Sequence, residues 1–368
     1  MKHILILTCS TGEGHNSAAK ALEAALVKKG YSCELEDPVS FQSARMQHTV
    51  ASLYNNLIKK TPAAFGAIYK LGDLYSNTSL PSPVYWANAK YADKLKAYIL
   101  TKKFDAVICT HLYGMEAMTA IRKDPDFTIP CYGILTDYTS IPFMAETVLD
   151  GYFAPTEEVK EYLVSKGIPE QSIWVSGIPV NSIFRDHLTK AAARKKLKIP
   201  MDRKVYLIMT GGIGCENMIG LCRKLLHSLQ PDGLILVLTG KNKKLKHRLD
   251  ERYRKCDQIS TIAFTKQVPD FMAACDVMLS KPGGLSSTEA AVCNVPLVHV
   301  HAIPGCETYN ARFFASHGMS FNAEDEATAV ACAARLVYNL DDAAEMCRMQ
   351  RKYVNPNAAE MIVQKVTE

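Results

Sequence analysis

With 368 residues, 48% of them hydrophobic and 22% charged, the chain is long enough for two domains that each bury a core, and its profile is that of an ordinary soluble globular protein. The formal charge of +6 gives no reason to expect nucleic-acid binding. The twelve cysteines show no C-x-x-C pair and no zinc-type Cys/His spacing, so they read as small buried hydrophobes in a reduced cytoplasm. No apolar run reaches the ~18 residues a bilayer span requires, which leaves only peripheral membrane contact.

The first element, Lys2 to Thr8, reads as a strand that runs into the glycine turn Gly12-Glu-Gly-His-Asn-Ser17. An alanine- and leucine-rich helix, Ala18 to Leu26, follows. Gly12 and Gly14 let backbone amides approach a ligand, and His15 falls at the helix start, where positive charge is disfavoured and the imidazole is held neutral, available as a base. A merely solvated or capping histidine is the bland alternative. Ser32 to Asp37 reads as a second strand. From Phe41 to about Leu100 the pattern turns helical and carries Tyr54, Tyr69, Tyr75, Tyr85, Trp86, Tyr91 and Tyr98 among lysines. That mixture suits an interfacial membrane segment, the alternative being a helical insertion whose aromatics pack inward.

Phe104 to Thr110 and Pro130 to Thr136 are the next buried strands, delivering His111 and Asp137-Tyr138 at their carboxyl ends. Asp137 is a candidate base or orienter, with turn capping as the other reading. The Gly177-Ile-Pro-Val-Asn181 break and a basic, loop-like Arg185 to Lys204 mark a domain boundary. The alternation then restarts with Lys204 to Thr210, the Gly211-Gly212-Ile-Gly214 loop, and strands at Leu234–Thr239, Ile259–Ala263 and Asp276–Ser280. Lys241 to Lys255 is very basic and reads as a solvated helix face or a contributor to an anion-attracting field.

The next stretch organises the rest: Lys281-Pro-Gly-Gly-Leu-Ser-Ser-Thr-Glu-Ala290. Ser286 and Glu289 stand at capping-box spacing after Gly283 and Gly284, predicting a helix N-terminus and with it a phosphate cradle. Glu289 is placed either to cap the helix or to accept bonds from ribose hydroxyls. A strand at Val295–His301 opens onto a second polar turn, Pro304 to Asn310, and Asp341 to Glu368 reads as helical, crossing back onto the first domain. Strand–helix alternation in both halves predicts α/β architecture with parallel sheets covered on both faces and a cleft between two domains.

These motifs, in this order, resemble the glycolipid-forming glycosyltransferases of family 28, nearest the monogalactosyldiacylglycerol synthase and processive diacylglycerol glucosyltransferase branch. The resemblance rests on Gly12 to Ser17, Gly177 to Val180, Gly211 to Gly214, Lys281 to Ala290 and Ile303-Pro-Gly-Cys-Glu-x-x-Asn310. It implies a GT-B fold of two Rossmann-like domains facing a central cleft: residues 1–180 meeting acceptor and membrane, 181–345 holding the UDP-sugar, and 346–368 a closing helix. It further implies that Gly283, Gly284, Ser286 and Ser287 cradle the diphosphate with the Gly212 loop. Glu289 would hold the ribose, Phe264 and Thr265 would meet uracil, and Glu307 and Asn310 would face the sugar. His15 is the implied base or diphosphate contact, and Asp137 lies near the acceptor.

The implied reaction is inverting transfer of a hexose from a UDP-sugar to diacylglycerol or a glycosyl-diacylglycerol. It needs no cofactor, and without an Asp-x-Asp motif a metal-independent route is expected. The implied place is the cytoplasmic face of the cell membrane, held peripherally on anionic lipid. Gly305-Cys306-Glu307 departs from the family's Gly-Gln-Glu, so the hexose is left open. The alternatives are transfer of N-acetylglucosamine to a polyprenyl-linked cell-wall precursor and a UDP-sugar epimerase of the same architecture.

Overall fold

The computed structural model describes residues 2–9, 13–43, 49, 72, 75, 80–209 and 218–368. Two compact units emerge. One runs from the N-terminus to Asn181 and takes in Ile303–Cys306 and Asn355–Glu368; the other comprises Ser182–Ala302 and Glu307–Val354.

The first unit is built on a six-stranded sheet of β1 (His3–Leu7), β2 (Ser32–Glu36), β3 (Ala106–Cys109), β4 (Cys131–Ile134), β5 (Gly151–Ala154) and β6 (Ile173–Val175). Their order is β2-β1-β3-β4-β5-β6 and every pairing is parallel. Helices cover both faces, so inner strands such as β1 and β3 are apolar on both sides, while the edge strand β2, Ser-Cys-Glu-Leu-Glu, is only half-buried. In β1 the alternation is explicit. Leu5 and Leu7 face a cluster with Leu95, Ile99, Met115 and Met118, while Ile4 and Ile6 face Leu22, Leu26, Ile362 and Val363. Among α2 (Pro83–Ala89), α3 (Ala92–Lys102) and α4 (Leu112–Ile121), α2 packs against α4, and α3 and α4 supply the first cluster. The second comes from α1 (Glu13–Lys28) and the last helix of the chain. A further helix, α5 (Glu157–Ser165), follows β5.

The second unit repeats the plan with β7 (Lys204–Met209), β8 (Gly233–Gly240), β9 (Ile259–Ala263), β10 (Val277–Ser280), β11 (Leu297–His299) and β12 (Phe321–Asn322), ordered β12-β11-β10-β7-β8-β9 and again parallel throughout. Its helices are α6 (Lys190–Leu197), α7 (Met218–Ser228), α8 (Lys243–Arg252), α9 (Val268–Ala274), α10 (Gly284–Val292), α11 (Cys306–Ser316), α12 (Glu326–Tyr338) and α13 (Leu340–Tyr353). The chain breaks at Pro356 and ends in α14 (Ala358–Thr367), whose Ile362, Val363 and Val366 join the first unit's core.

The structure changes three sequence expectations. The basic stretch Arg185 to Lys204 is no loop: it contains α6, because Arg194 folds inward and is 4% exposed. Its guanidinium donates to the Ala274 and Met201 carbonyls and pairs with Asp276 at 2.8 Å, so the charge is fully partnered. The aromatics of the helical insertion divide. Tyr85 and Tyr91 are buried and Tyr98 donates to Glu34, whereas Trp86 is 58% exposed; Tyr54 and Tyr69 lie outside the described residues. The predicted capping box does not form. Gly283 is the N-cap of α10, and Ser286 sits inside the first turn with its hydroxyl donating back to the Gly283 carbonyl. The glycine turn already supplies the entry geometry, so the helix starts before Ser286 can act as its cap.

Candidate functional site

In an open parallel sheet, loops converge where the strand order reverses. In the first unit that point lies between β1 and β3, and the loops there carry His15 and His111. Gly14 and His15 occupy the first turn of α1; Gly12 lies outside the described residues. The Thr8 hydroxyl donates to Asn16, tying the end of β1 to the helix that presents His15. The His15 Nδ1 stands 2.8 Å from the Thr110 carbonyl and 3.0 Å from the Thr136 hydroxyl. A carbonyl can only accept, so Nδ1 carries the proton and Nε2 is left with its lone pair. Burial lowers the His15 pKa against the opposing effect of the Thr110 carbonyl, which keeps the ring neutral.

His111 stands edge-on to His15, ring centroids 4.6 Å apart. It is the N-cap of α4, and its Nδ1 accepts the Tyr113 amide at 3.2 Å, which puts its proton on Nε2. Burial, then the neighbouring His15, holds its pKa well below the usual range. The two imidazoles are thus neutral and of opposite tautomer, one offering a lone pair and the other an N–H. Asp137, half-buried, lines the same pocket with His15, His111, Thr139, Met115 and Met144. The Thr-His and Thr-Asp pairs ending β3 and β4 were the sequence signal for this grouping. Strand adjacency, which sequence does not reveal, turns the two threonines into holders of one histidine.

In the second unit the order reverses between β7 and β10. The loop after β7, with Gly212, lies outside the described residues. The loop after β10 is Lys281 to Gly284, bent by the Gly283 amide donating to the Lys281 carbonyl. Two contacts join this turn to α11. Asn310, fully buried, donates from Nδ2 to the Pro282 carbonyl at 3.0 Å, and Lys281 pairs with Glu307 at 3.2 Å. Gly305, just before α11, has φ +115°, a conformation in which a side chain is strained. Glu289 stands half-buried on α10, and burial raises its carboxyl to about 8.

Ser287 departs from the role expected of it. It is 1% exposed, and its hydroxyl meets His299 Nε2 at 2.9 Å while His299 Nδ1 meets Ser320 at 3.1 Å. The Ser287 amide is spent within the helix on the Gly283 carbonyl. Ser287 therefore holds α10 to β11 instead of facing the loop. Phe264 is 63% exposed at the end of β9 with the Lys241 ammonium 5.8 Å from its ring centre, and Thr265 accepts the Gln267 amide. Sequence reasoning missed Thr110, Thr136, Lys281 and His299, whose roles come from strand order and loop contacts. Among the described residues no cluster of three or more His, Cys, Asp and Glu side chains could hold a metal ion, and no helix is long and apolar enough to cross a membrane.

Two parallel α/β units of this kind make up the GT-B fold. The whole chain superposes on Acinetobacter baumannii MurG with a TM-score of 0.66 at 16% identity, covering 100% of this chain and 99% of that one. It superposes equally completely on the Neisseria meningitidis UDP-GlcNAc 2-epimerase bound to UDP-GlcNAc, with a TM-score of 0.63 at 17% identity. In sequence, the monogalactosyldiacylglycerol synthase model matches residues 15–180 and the UDP-N-acetylglucosamine 2-epimerase model residues 143–367. A processive diacylglycerol beta-glucosyltransferase of Bacillus mycoides is 27% identical over 368 residues, 99% of this chain and 92% of the relative. One from Bacillus cytotoxicus is 28% identical over 328 residues, 88% of this chain and 82% of the relative. The chain belongs to the UDP-N-acetylglucosamine 2-epimerase family, whose model matches residues 143–367; over residues 15–180 it resembles monogalactosyldiacylglycerol synthase, and along its length it is similar to the processive diacylglycerol beta-glucosyltransferases.

Proposed function

We propose that this protein transfers a hexose from a UDP-sugar to diacylglycerol, or to a glycosyl-diacylglycerol, with inversion at the sugar. The observation that carries the reading is the polarised His15. Its Nδ1 proton is fixed on the Thr110 carbonyl, so Nε2 is a neutral base placed for an acceptor hydroxyl. Nε2 takes the hydroxyl proton as the acceptor oxygen attacks the anomeric carbon; the bond to the UDP oxygen breaks, and the electron pair leaves on the diphosphate. His111, with its proton on Nε2, offers a donor beside that base. Asp137 lines the pocket at the acceptor position.

The departing diphosphate is held by the Pro282–Gly284 backbone and the N-terminal turn of α10. Lys281 adds positive charge, and its pairing with Glu307 sets both for the sugar side of the donor. Glu289 accepts the ribose hydroxyls, and Asn310 fixes the loop through Pro282. The exposed Phe264 and Thr265 meet the uracil. The acceptor is a membrane lipid, so the protein works at an anionic membrane surface on the cytoplasmic side.

The test is incubation with vesicles of phosphatidylglycerol containing diacylglycerol and, separately, UDP-glucose, UDP-galactose or UDP-N-acetylglucosamine, with EDTA present. A hexosyl-diacylglycerol in the lipid extract supports the reading and names the sugar. Conversion of UDP-N-acetylglucosamine to its 2-epimer without any lipid product would sink it in favour of the epimerase. Transfer only to a polyprenyl-linked acceptor would move the enzyme to cell-wall synthesis.

A further inference from the structure

The chain's charge is concentrated. Lys241 to Lys255 holds eight of the 43 Lys and Arg residues and two of the 37 Asp and Glu, so the rest of the sequence is evenly balanced and this segment carries the whole excess of +6. It forms α8 and its flanks in the second unit, between β8 and the edge strand β9. The helix turns its two leucines, Leu245 and Leu249, into the core. Everything outward is polar: Lys243, Lys244, His247, Arg248 and, just past the last turn, Arg254 and Lys255 are exposed.

Both acids of the segment are already engaged. Asp250 pairs with Lys246 at 2.6 Å, and Glu251 stands 3.4 Å from His247. Among the described residues, Lys243, Lys244, Arg248, Arg254 and Lys255 have no carboxylate partner within ion-pair distance. An ordinary solvated helix intersperses signs along its exposed face; this one leaves a single sign uncompensated.

We infer that the outward face of α8 is an adhesion surface for an anionic lipid bilayer, separate from the aromatic segment of the first unit. The inference rests on the lipid-acceptor reading, because that reaction requires the protein to meet a membrane. Charge complementarity selects the partner, and the absence of any large apolar side chain among these outward residues of α8 sets the mode. The face adheres through Coulombic attraction to headgroups, with nothing to insert among the acyl chains.

The experiment compares the full chain with the variant carrying Lys243→Gln, Lys244→Gln, Arg248→Gln and Lys255→Gln, in co-sedimentation with vesicles of pure phosphatidylcholine or of phosphatidylcholine with phosphatidylglycerol. The expected result is at least about a tenfold fall in partition onto the anionic vesicles. Wild-type binding through this face should vanish at about 0.5 M salt, where screening shortens to a few ångströms. UDP affinity, read by calorimetry, should stay the same, as should hexosyl transfer to diacylglycerol in neutral detergent micelles. Equal partition of variant and wild type onto anionic vesicles would overturn the inference, as would a variant defect confined to UDP affinity or to duplex DNA binding. If instead wild type fails to glycosylate diacylglycerol in micelles yet adheres through α8, the acceptor reading falls and the surface stands.

Discussion

The two sheet-edge sites use the same scaffold in opposite ways. In the first unit the switch point presents side chains: two imidazoles, each with its proton position fixed by a backbone or side-chain partner. In the second unit the switch point presents backbone, and several of the polar side chains around it hold the turn and the helix that follows it. Asn310 is committed to Pro282 and Ser287 to His299, with Lys281 paired to Glu307. The contrast suits the work proposed for each site. Proton transfer needs a group that changes state, whereas a diphosphate needs fixed dipoles that do not. Substitutions in the first unit should therefore act on turnover and those in the second on donor affinity or fold.

The largest effect sharpens that division. His15→Ala should lower kcat by about 10²- to 10⁴-fold with UDP affinity nearly unchanged, measured by steady-state kinetics and calorimetry. An equal loss in both would erase the contrast.

Next is His299. Its pKa is pushed down to about 3 by burial, so the folded protein keeps it neutral while the unfolded chain protonates it at the ordinary 6.5. The associated stability is complete above pH 6.5 and is lost as pH falls from 6.5 towards 3, at up to about 1.4 kcal/mol per pH unit. Denaturant titrations of wild type and His299→Gln between pH 7 and 4 should show a shallower slope in the variant. Parallel slopes would mean the Ser287–His299–Ser320 chain is no fixed part of the donor scaffold.

Asn310→Ala leaves the Pro282 carbonyl without its buried donor and should weaken UDP binding about tenfold with kcat little changed. A kcat effect without a binding effect would place Asn310 with the reacting sugar instead.

Glu289 gives a smaller, pH-shaped effect. Burial pushes its carboxyl up to about 8, and the ribose contact proposed for it is strongest with the ionised form. UDP affinity should rise with pH up to about 8 and binding should release a proton, seen as calorimetric heats that vary with buffer; Glu289→Gln should abolish that dependence. The smallest change is Thr136→Val, which removes one partner of His15 Nδ1 and leaves the Thr110 carbonyl. A few-fold fall in kcat is expected, and no change would assign the orientation of the ring to Thr110 alone.

The sequence made the strands and their parallel pairing legible because doubly covered strands are apolar runs bounded by glycine and polar turns. It made His15, Asp137 and the Pro-Gly-Gly loop legible because strand-end position is a local property. What it could not supply was the neighbour relation. That β3 lies beside β1 decides that Thr110 holds His15, and that β11 packs under α10 decides that Ser287 faces His299. Ser287 looked like a phosphate ligand because adjacent serines are equivalent in sequence; on a helix they point 100° apart, and burial takes one of them. Arg194 misled for the same reason, since a basic run reads as surface until a half-buried carboxylate, Asp276, claims one member.

The packing of α14 onto α1 has a consequence for synthesis. Lys2 donates to the Thr367 carbonyl, and Ile362, Val363 and Val366 fill the core beneath Ile4 and Ile6. The first unit to leave the ribosome is thus the last able to finish, the Ile4 and Ile6 face of β1 covered only in part, by α1, until α14 has been made. The intervening unit folds as an insertion within an unfinished host. A nascent chain stalled after Val354 would expose that face, and chaperone engagement should concentrate there rather than on the second unit.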